Sequence, residues 1–524
     1  MTASTRTAQP PATSDRRSIL LVFAGLMLTM LLASLDQTIF STALPTIVGE
    51  LHGVNEMLWV ITIYILASTI MLPIYGKLGD ILGRKGLFIG AISIFILGSI
   101  IGGLAQNMTW LIVGRGVQGL GGGGLMLMSQ AIIADVVPAR DRGRYMGVLG
   151  GVFAFSSVAG PLLGGWFTDG IGWRWGLWMN IPLGILAIIS AVFFLRLPKH
   201  PRKPGRVDVA GMATLALTST LLVLVATWGG TKYDWNSPQI IAMGVGTVLA
   251  AGVFVWIESR ADLPIMSLHL FKERNFNLTT AAGLITGIAM FGTLAYMPTF
   301  LQMVTGANAT QAGLLMIPMM AGLLVTSITS GQIVSRTGRY KWLPITGMFI
   351  VAGALMLLST MTPTIPVWLI CTYLAIMGIG LGSSMQILVL IVQNQFPNSQ
   401  VGMATASSNY FRQIGAALGS AVVGSLFATH LATLLTERIP AGAAAHASGG
   451  INSLTPEIVR TLPTQLRDIV IGSYNDALTP IFVYMVPLLV LAGILLFFVA
   501  EIPLATSLDR ETAPVANTDS VVAD

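Results

Sequence analysis

Fourteen stretches of roughly 18 to 25 residues run through this chain almost without charge, each long enough to cross the hydrocarbon core of a bilayer. They fall near 18–40, 55–75, 86–105, 109–132, 144–167, 175–196, 207–228, 239–258, 276–300, 311–334, 343–361, 366–391, 402–428 and 480–501. No single water-soluble core absorbs so many. Of the 524 residues, 54% are apolar and 10% charged, against roughly 25% charged in an ordinary soluble domain. Composition therefore excludes a soluble enzyme and predicts an all-α membrane protein with fourteen transmembrane helices.

The net charge of +6 is spread between these runs, not gathered on one face, so a nucleic-acid partner is not expected. Because the span number is even, both termini share a side. With the termini inside, 21 Lys and Arg residues fall on the inner segments and five on the outer ones, which predicts cytoplasmic termini. The first span is too long for a signal-peptide core and lacks a cleavage site, so it is expected to stay. The five histidines lie in or beside loops and the single cysteine, Cys371, lies in an apolar segment. No metal site and no cofactor are expected.

The chain repeats itself. GKLGDILGRK at 76–85 follows the second span, and GQIVSRTGRY at 331–340 follows the tenth, so that Gly76, Gly83 and Arg84 recur as Gly331, Gly338 and Arg339. A parallel repeat of this kind is how many transporters are built. It divides the chain into a segment at 1–17, a first six-helix bundle at 18–196, and a linker at 197–275 with two extra spans. A second bundle follows at 276–501, related to the first by a pseudo-two-fold axis, and a tail at 502–524. The long outer segment 429–479 contains EIVRTLPTQLRDIV, whose helical spacing suits a piece lying on the membrane surface, and the acidic tail is expected to be disordered.

Ionisable side chains within a span cost at least about 2.5–3.5 kcal/mol on insertion scales, and this chain has very few. Asp36 lies toward the outer end of the first span and Arg115 at a similar depth in the fourth. They suit a proton-titratable carboxylate with the cation that tunes it, a carboxylate that attracts a cationic ligand, or a static pair that fixes packing. Arg412 lies near mid-membrane in the thirteenth span with no acid at matching depth in the second half. A backbone carbonyl or water is its expected partner.

In the loop 76–85, Gly76 and Gly83 allow a tight turn and close helix approach, Asp80 and Arg84 are spaced to pair on one helical face, and Asp135 is a second partner for Arg84. This reads as a gate latch. In the repeat Ser335 replaces Asp80, so that latch should be weaker or differently partnered. The fifth span contains Gly160, Pro161, Gly164 and Gly165, a kink or packing seam. Gln37, Trp59, Tyr64, Thr286, Tyr296, Gln386, Gln393 and Asn394 could line a substrate cavity with apolar walls, although packing explains any one aromatic equally well.

Together these residues resemble the major facilitator superfamily and, within it, the 14-helix drug:proton antiporters. GKLGDILGRK resembles that superfamily's loop between helices 2 and 3, RGVQGLGGGG at 115–124 its helix-4 motif, and SSVAGPLLGG its helix-5 antiporter motif. LDQTIFSTALP with Asp36 is similar to the helix-1 motif of the 14-helix exporters, and WRWGLWMNIP at 173–182 to another element. The resemblance implies two rocking bundles around a central cavity and export of lipophilic, often cationic, drugs driven by the proton gradient. It further implies a bacterial plasma membrane as the location, with small-molecule substrate, protons and membrane lipid as partners and a monomeric state. The second half lacks the extra carboxylates of divalent-cation exporters. Two rivals stay open: an exporter of one specific lipid, siderophore or metabolite, and a non-transporting receptor or scaffold.

Overall fold

The computed structural model describes residues 16–51, 56–195, 197, 208–230, 232–439, 459 and 462–506. Arg6, most of the basic linker at 197–206, the centre of 429–479 and most of the tail lie outside the described residues. The helices are α1 (Arg16–Leu51), α2 (Met57–Leu82), α3 (Arg84–Gly103), α4 (Met108–Val136), α5 (Ala139–Trp166), α6 (Trp175–Trp178) and α7 (Asn180–Phe194). The extra pair is α8 (Val209–Trp228) and α9 (Pro238–Glu258). The second half has α10 (Arg274–Leu294), α11 (Met297–Val304), α12 (Ala309–Leu315), α13 (Ile317–Thr337), α14 (Trp342–Ser359), α15 (Val367–Gln395), α16 (Asn398–Arg438) and α17 (Thr464–Phe497). There is no β-strand among the described residues. Among the described residues, fourteen helical segments are long and apolar enough to cross a membrane.

Proline explains two of the interruptions. It lacks the amide hydrogen and pushes its predecessor out of helical geometry, so it tolerates the first turn of a helix far better than the middle. Pro298 and Pro318 each open a new helix, splitting the ninth span into α10 and α11 and the tenth into α12 and α13. Several helices outrun the apolar runs that announced them. α1 continues to Leu51, and α17 begins at Thr464, so the residues from 464 to 479 extend the last span. Hydropathy marks the lipid-facing length of a helix, not its hydrogen-bonded length.

The two halves repeat each other's packing. α1 against α5, α2 against α4 and α3 against α4 recur as α10 against α16, α13 against α15 and α14 against α15. The crossings between halves also come as a pair, α2 with α16 and α5 with α13, as a two-fold relation requires. α8 and α9 pack on each other, and α8 touches both α2 and α16. Ser219 is hydrogen-bonded to the Tyr410 hydroxyl at 2.9 Å, and Trp235 Nε1 donates to Ser425 Oγ at 2.6 Å. The extra pair therefore straddles the seam between halves. Large apolar side chains such as Val248, Phe193 and Trp368 stay exposed on the periphery, the inverse of a soluble protein and what a lipid-facing surface needs.

Candidate functional site

Three places bear polar chemistry, beginning with the cluster around Asp36. This carboxylate is fully buried on α1 and forms an ion pair with Arg115 Nη1 of α4. Its Oδ1 also accepts from Gln118 Nε2 at 3.0 Å and from Asn180 Nδ2 at 2.9 Å, and Ser99 Oγ accepts from both amides. Arg115 in turn donates to Gln118 Oε1 at 2.8 Å and lies over the rings of Phe40 and Tyr64, 4.2 and 4.4 Å from their centroids. Five elements of the first half thus converge on one carboxylate. Every member is hydrogen-bonded, as a dry interior demands of a buried charge. Next to it α1 and α5 meet closely: a Cβ on Gly160 would lie 1.9 Å from Thr38 Oγ1, and one on Gly164 would lie 2.3 Å from Thr42 Oγ1. Gly165 has open space, so the seam uses two of those three glycines, while Pro161 sits inside α5.

Gly76, Asp80, Gly83, Arg84 and Asp135 gather at the ends of α2 and α4. Arg84 Nη1 donates to Asp135 Oδ1 and to the Ala131 carbonyl, both at 2.6 Å, and Nη2 donates to Asp80 Oδ1 at 2.8 Å. The cluster also crosses between halves. Arg84 Nη2 reaches the Asn398 carbonyl at 3.2 Å, and the Met403 amide donates to Asp80 Oδ2 at 2.8 Å. A Cβ on Gly76 would lie 2.4 Å from the Ala406 Cβ, so the helices meet here only because Gly76 has none. Gly83 turns the chain with φ of 93°.

The third place is a cavity of about 360 Å³ lined from both halves. Gln37, Tyr296, Gln386 and Arg412 line it, and so do Gln130 and Asn409, joined by a 2.7 Å hydrogen bond. The remaining residues expected there sit elsewhere. Trp59 stacks edge-on with Trp228, Tyr64 covers Arg115, and Thr286 donates to the Ala282 carbonyl within the second half. Gln393 reaches the Gln130 carbonyl at 3.3 Å, and Asn394 donates to the Ile502 carbonyl at 2.9 Å. The sequence tells which helix carries a polar group, but on helices apolar all round it does not tell which way that group faces. Gln118, Ser99, Gln130 and Asn409 give no signal in the sequence, because neutral amides and hydroxyls do not stand out in a span. Asn180 lies within the WRWGLWMNIP motif, but nothing in that motif marks it as a partner of Asp36.

With this geometry in hand, comparison with known proteins is decisive. The family model described as Major Facilitator Superfamily matches residues 26–420. The chain belongs to the major facilitator superfamily. It is 39% identical over 499 residues to an uncharacterized MFS-type transporter of Mycobacterium tuberculosis, covering 95% of this chain and 72% of that protein. It is 31% identical to multidrug resistance protein 3 of Bacillus subtilis, covering 94% and 98% respectively. Among solved structures it is similar to the proton:xylose symporter XylE, with a TM-score of 0.58 at 15% identity over 93% of this chain and 98% of that one. The fold is that of a transporter, and the chain is a multi-pass membrane transporter rather than an enzyme.

Proposed function

We propose that this transporter exports lipophilic small molecules from the bacterial cytoplasm in exchange for protons, without a cofactor and powered by the proton gradient. Both termini and the Asp80 latch would face the cytoplasm, in keeping with the excess of basic residues on that side. The observation that carries the reading is the Asp36 cluster: a fully buried carboxylate on the helix whose next residue, Gln37, lines the cavity. Protonating Asp36 removes one charge from the pair, while Arg115 keeps Gln118 and the faces of Phe40 and Tyr64. A proton therefore changes how firmly α1 is held to α4, and α1 also contacts α5, which crosses to the second half. Such differential holding is what allows a proton to shift the balance between two orientations. A cavity of this size takes one drug-sized molecule. Several relatives are named as drug exporters, among them multidrug transporter protein MdtP of Bacillus subtilis, in agreement with drug export.

The test is substrate-dependent proton flux in proteoliposomes under an imposed pH gradient. Wild type should move protons when lipophilic substrate is added, and folded Asp36→Asn should not. Undiminished flux in that variant would overturn the assignment of Asp36. Competition among chemically unrelated dyes separates a broad exporter from one with a single metabolite.

A further inference from the structure

Among the described residues, Arg412 is the one charged residue lining the central cavity, and no Asp or Glu lines it. Among the described residues its guanidinium has no ion-pair or hydrogen-bond partner. The buried ion pairs lie elsewhere: Arg115 with Asp36, and Arg84 with Asp80 and Asp135. The cavity therefore carries one uncompensated positive charge between the two helical bundles, where electrostatic attraction is stronger than in water and an unpaired cation is costly. Two more residues of the cavity wall have bonding capacity left over. Ser327 Oγ and Gln386 Oε1 are both buried without partners and both belong to cavity residues, at 2% and 4% exposure. A serine hydroxyl can donate, and a carboxamide can turn to present its amine. The remaining wall is apolar and soft, with Met290, Met385, Phe153 and Phe291.

From this we infer that the preferred substrate is a lipophilic anion, a carboxylate or sulfonate on an apolar body, whose charged group is held by Arg412 while its body lies against the methionines and phenylalanines. A planar guanidinium matches a carboxylate with two parallel hydrogen bonds, which gives orientation as well as attraction. A cationic drug would meet a like charge with no carboxylate in the cavity to offset it, so the cationic preference implied by resemblance gives way to an anionic one. The inference rests on this cavity being the transport site, and its test reads binding alone, so that failure of proton coupling leaves it standing.

The experiment is calorimetric titration of the full-length protein in phosphatidylcholine nanodiscs with three probes sharing one apolar body: naphthylacetate, its methyl ester and naphthylethylammonium. Naphthylacetate should bind about tenfold or more tighter than the other two. Arg412→Gln should erase that preference, and Arg412→Lys should restore part of it, a pattern that general misfolding does not give. Gln386→Glu, which gives the cavity a carboxylate that offsets Arg412, should abolish the preference for the anion. Equal or tighter binding of the ammonium by wild type would overturn the proposal, as would an anion preference that survives Arg412→Gln. A second titration uses nanodiscs containing phosphatidylglycerol. Unchanged naphthylacetate affinity keeps a free anion as the occupant, whereas its Arg412-dependent loss would show a lipid headgroup filling the site and would overturn the proposal.

Discussion

At 76–85 a charged cluster is buried and reaches into the other half of the molecule, whereas at 331–340 the corresponding positions are neutral or exposed. Arg84 is 4% exposed and pairs with two carboxylates, but its counterpart Arg339 stands at the surface. Asp80 accepts the Met403 amide across the seam, while Ser335 donates to Asp141 Oδ1 at 2.9 Å near the surface. At the second loop closeness comes from small residues. A Cβ on Gly331 would lie 2.0 Å from the Gly143 carbonyl oxygen, and Arg140 donates to the carbonyls of Ser335 and Arg336 at 3.3 and 3.2 Å. One fold repeat has thus been kept in backbone and split in chemistry. The first crossing is held by buried charge and the second by packing and exposed side-chain hydrogen bonds, so only the first should answer strongly to loss of a single charge.

The largest expected effect follows directly. Arg84→Ala leaves Asp80 and Asp135 buried without their cation and should cost about 3–5 kcal/mol, whereas Arg339→Ala should stay within about 0.5 kcal/mol. Thermal unfolding in detergent compares the two, and equal melting temperatures would break the contrast.

A smaller difference should appear at the glycines that turn each loop. Gly83 has φ of 93° and ψ of 142°, a region open to little but glycine, while Gly338 has φ of 73° and ψ of −5°, the left-handed helical well that asparagine also enters. Neither position crowds a Cβ, so backbone strain alone decides. Gly83→Asn should cost about 1–3 kcal/mol and Gly338→Asn about 1 kcal/mol or less, read by the same melts.

The smallest effect lies in a surface pair that sharpens the role of burial. Arg174 donates to Glu50 Oε1 at 2.5 Å and Trp173 Nε1 to Oε2 at 2.7 Å, and these bonds hold the Glu50 carboxyl below its usual 4.5. A depressed carboxylate stabilises above its unfolded value and loses that contribution as pH falls through the folded one. Stability should therefore drop slightly below about pH 4.5 in wild type, and Glu50→Gln should remove that component. With Glu50 about half exposed, the effect should stay under about 1 kcal/mol. A loss as large as that of Arg84→Ala would show that burial is not what separates the two ion-paired sites.

Much of this was legible in the sequence, and the reasons for the remainder are physical. Charge inside an apolar run is conspicuous, so Asp36, Arg115 and the Asp80, Arg84 and Asp135 set could be named before any coordinates. Their partners across the seam could not, because Asn398 and Met403 contribute backbone atoms, which every residue has. The proline breaks were written at Pro298 and Pro318, yet each lies inside a run apolar enough to read as one span. The cavity was half legible: Gln37 and Gln386 face it, but Gln393 and Asn394 on the same helix as Gln386 turn away. A rotation of about 100° per residue decides that, and hydropathy carries no such phase on a helix without a polar face.

The most direct test of the account is a distance across the Asp80 end of the molecule. Spin labels at Leu82→Cys and Ser399→Cys, in a Cys371→Ser background, report whether α2 and α16 stay together there, and pulsed dipolar spectroscopy reads the distribution. The account predicts one short distance in the wild-type sequence and a second, longer population when Arg84→Ala is added, with Arg339→Ala leaving the distribution unchanged. A single short distance in all three would contradict the claim that buried charge holds this crossing closed.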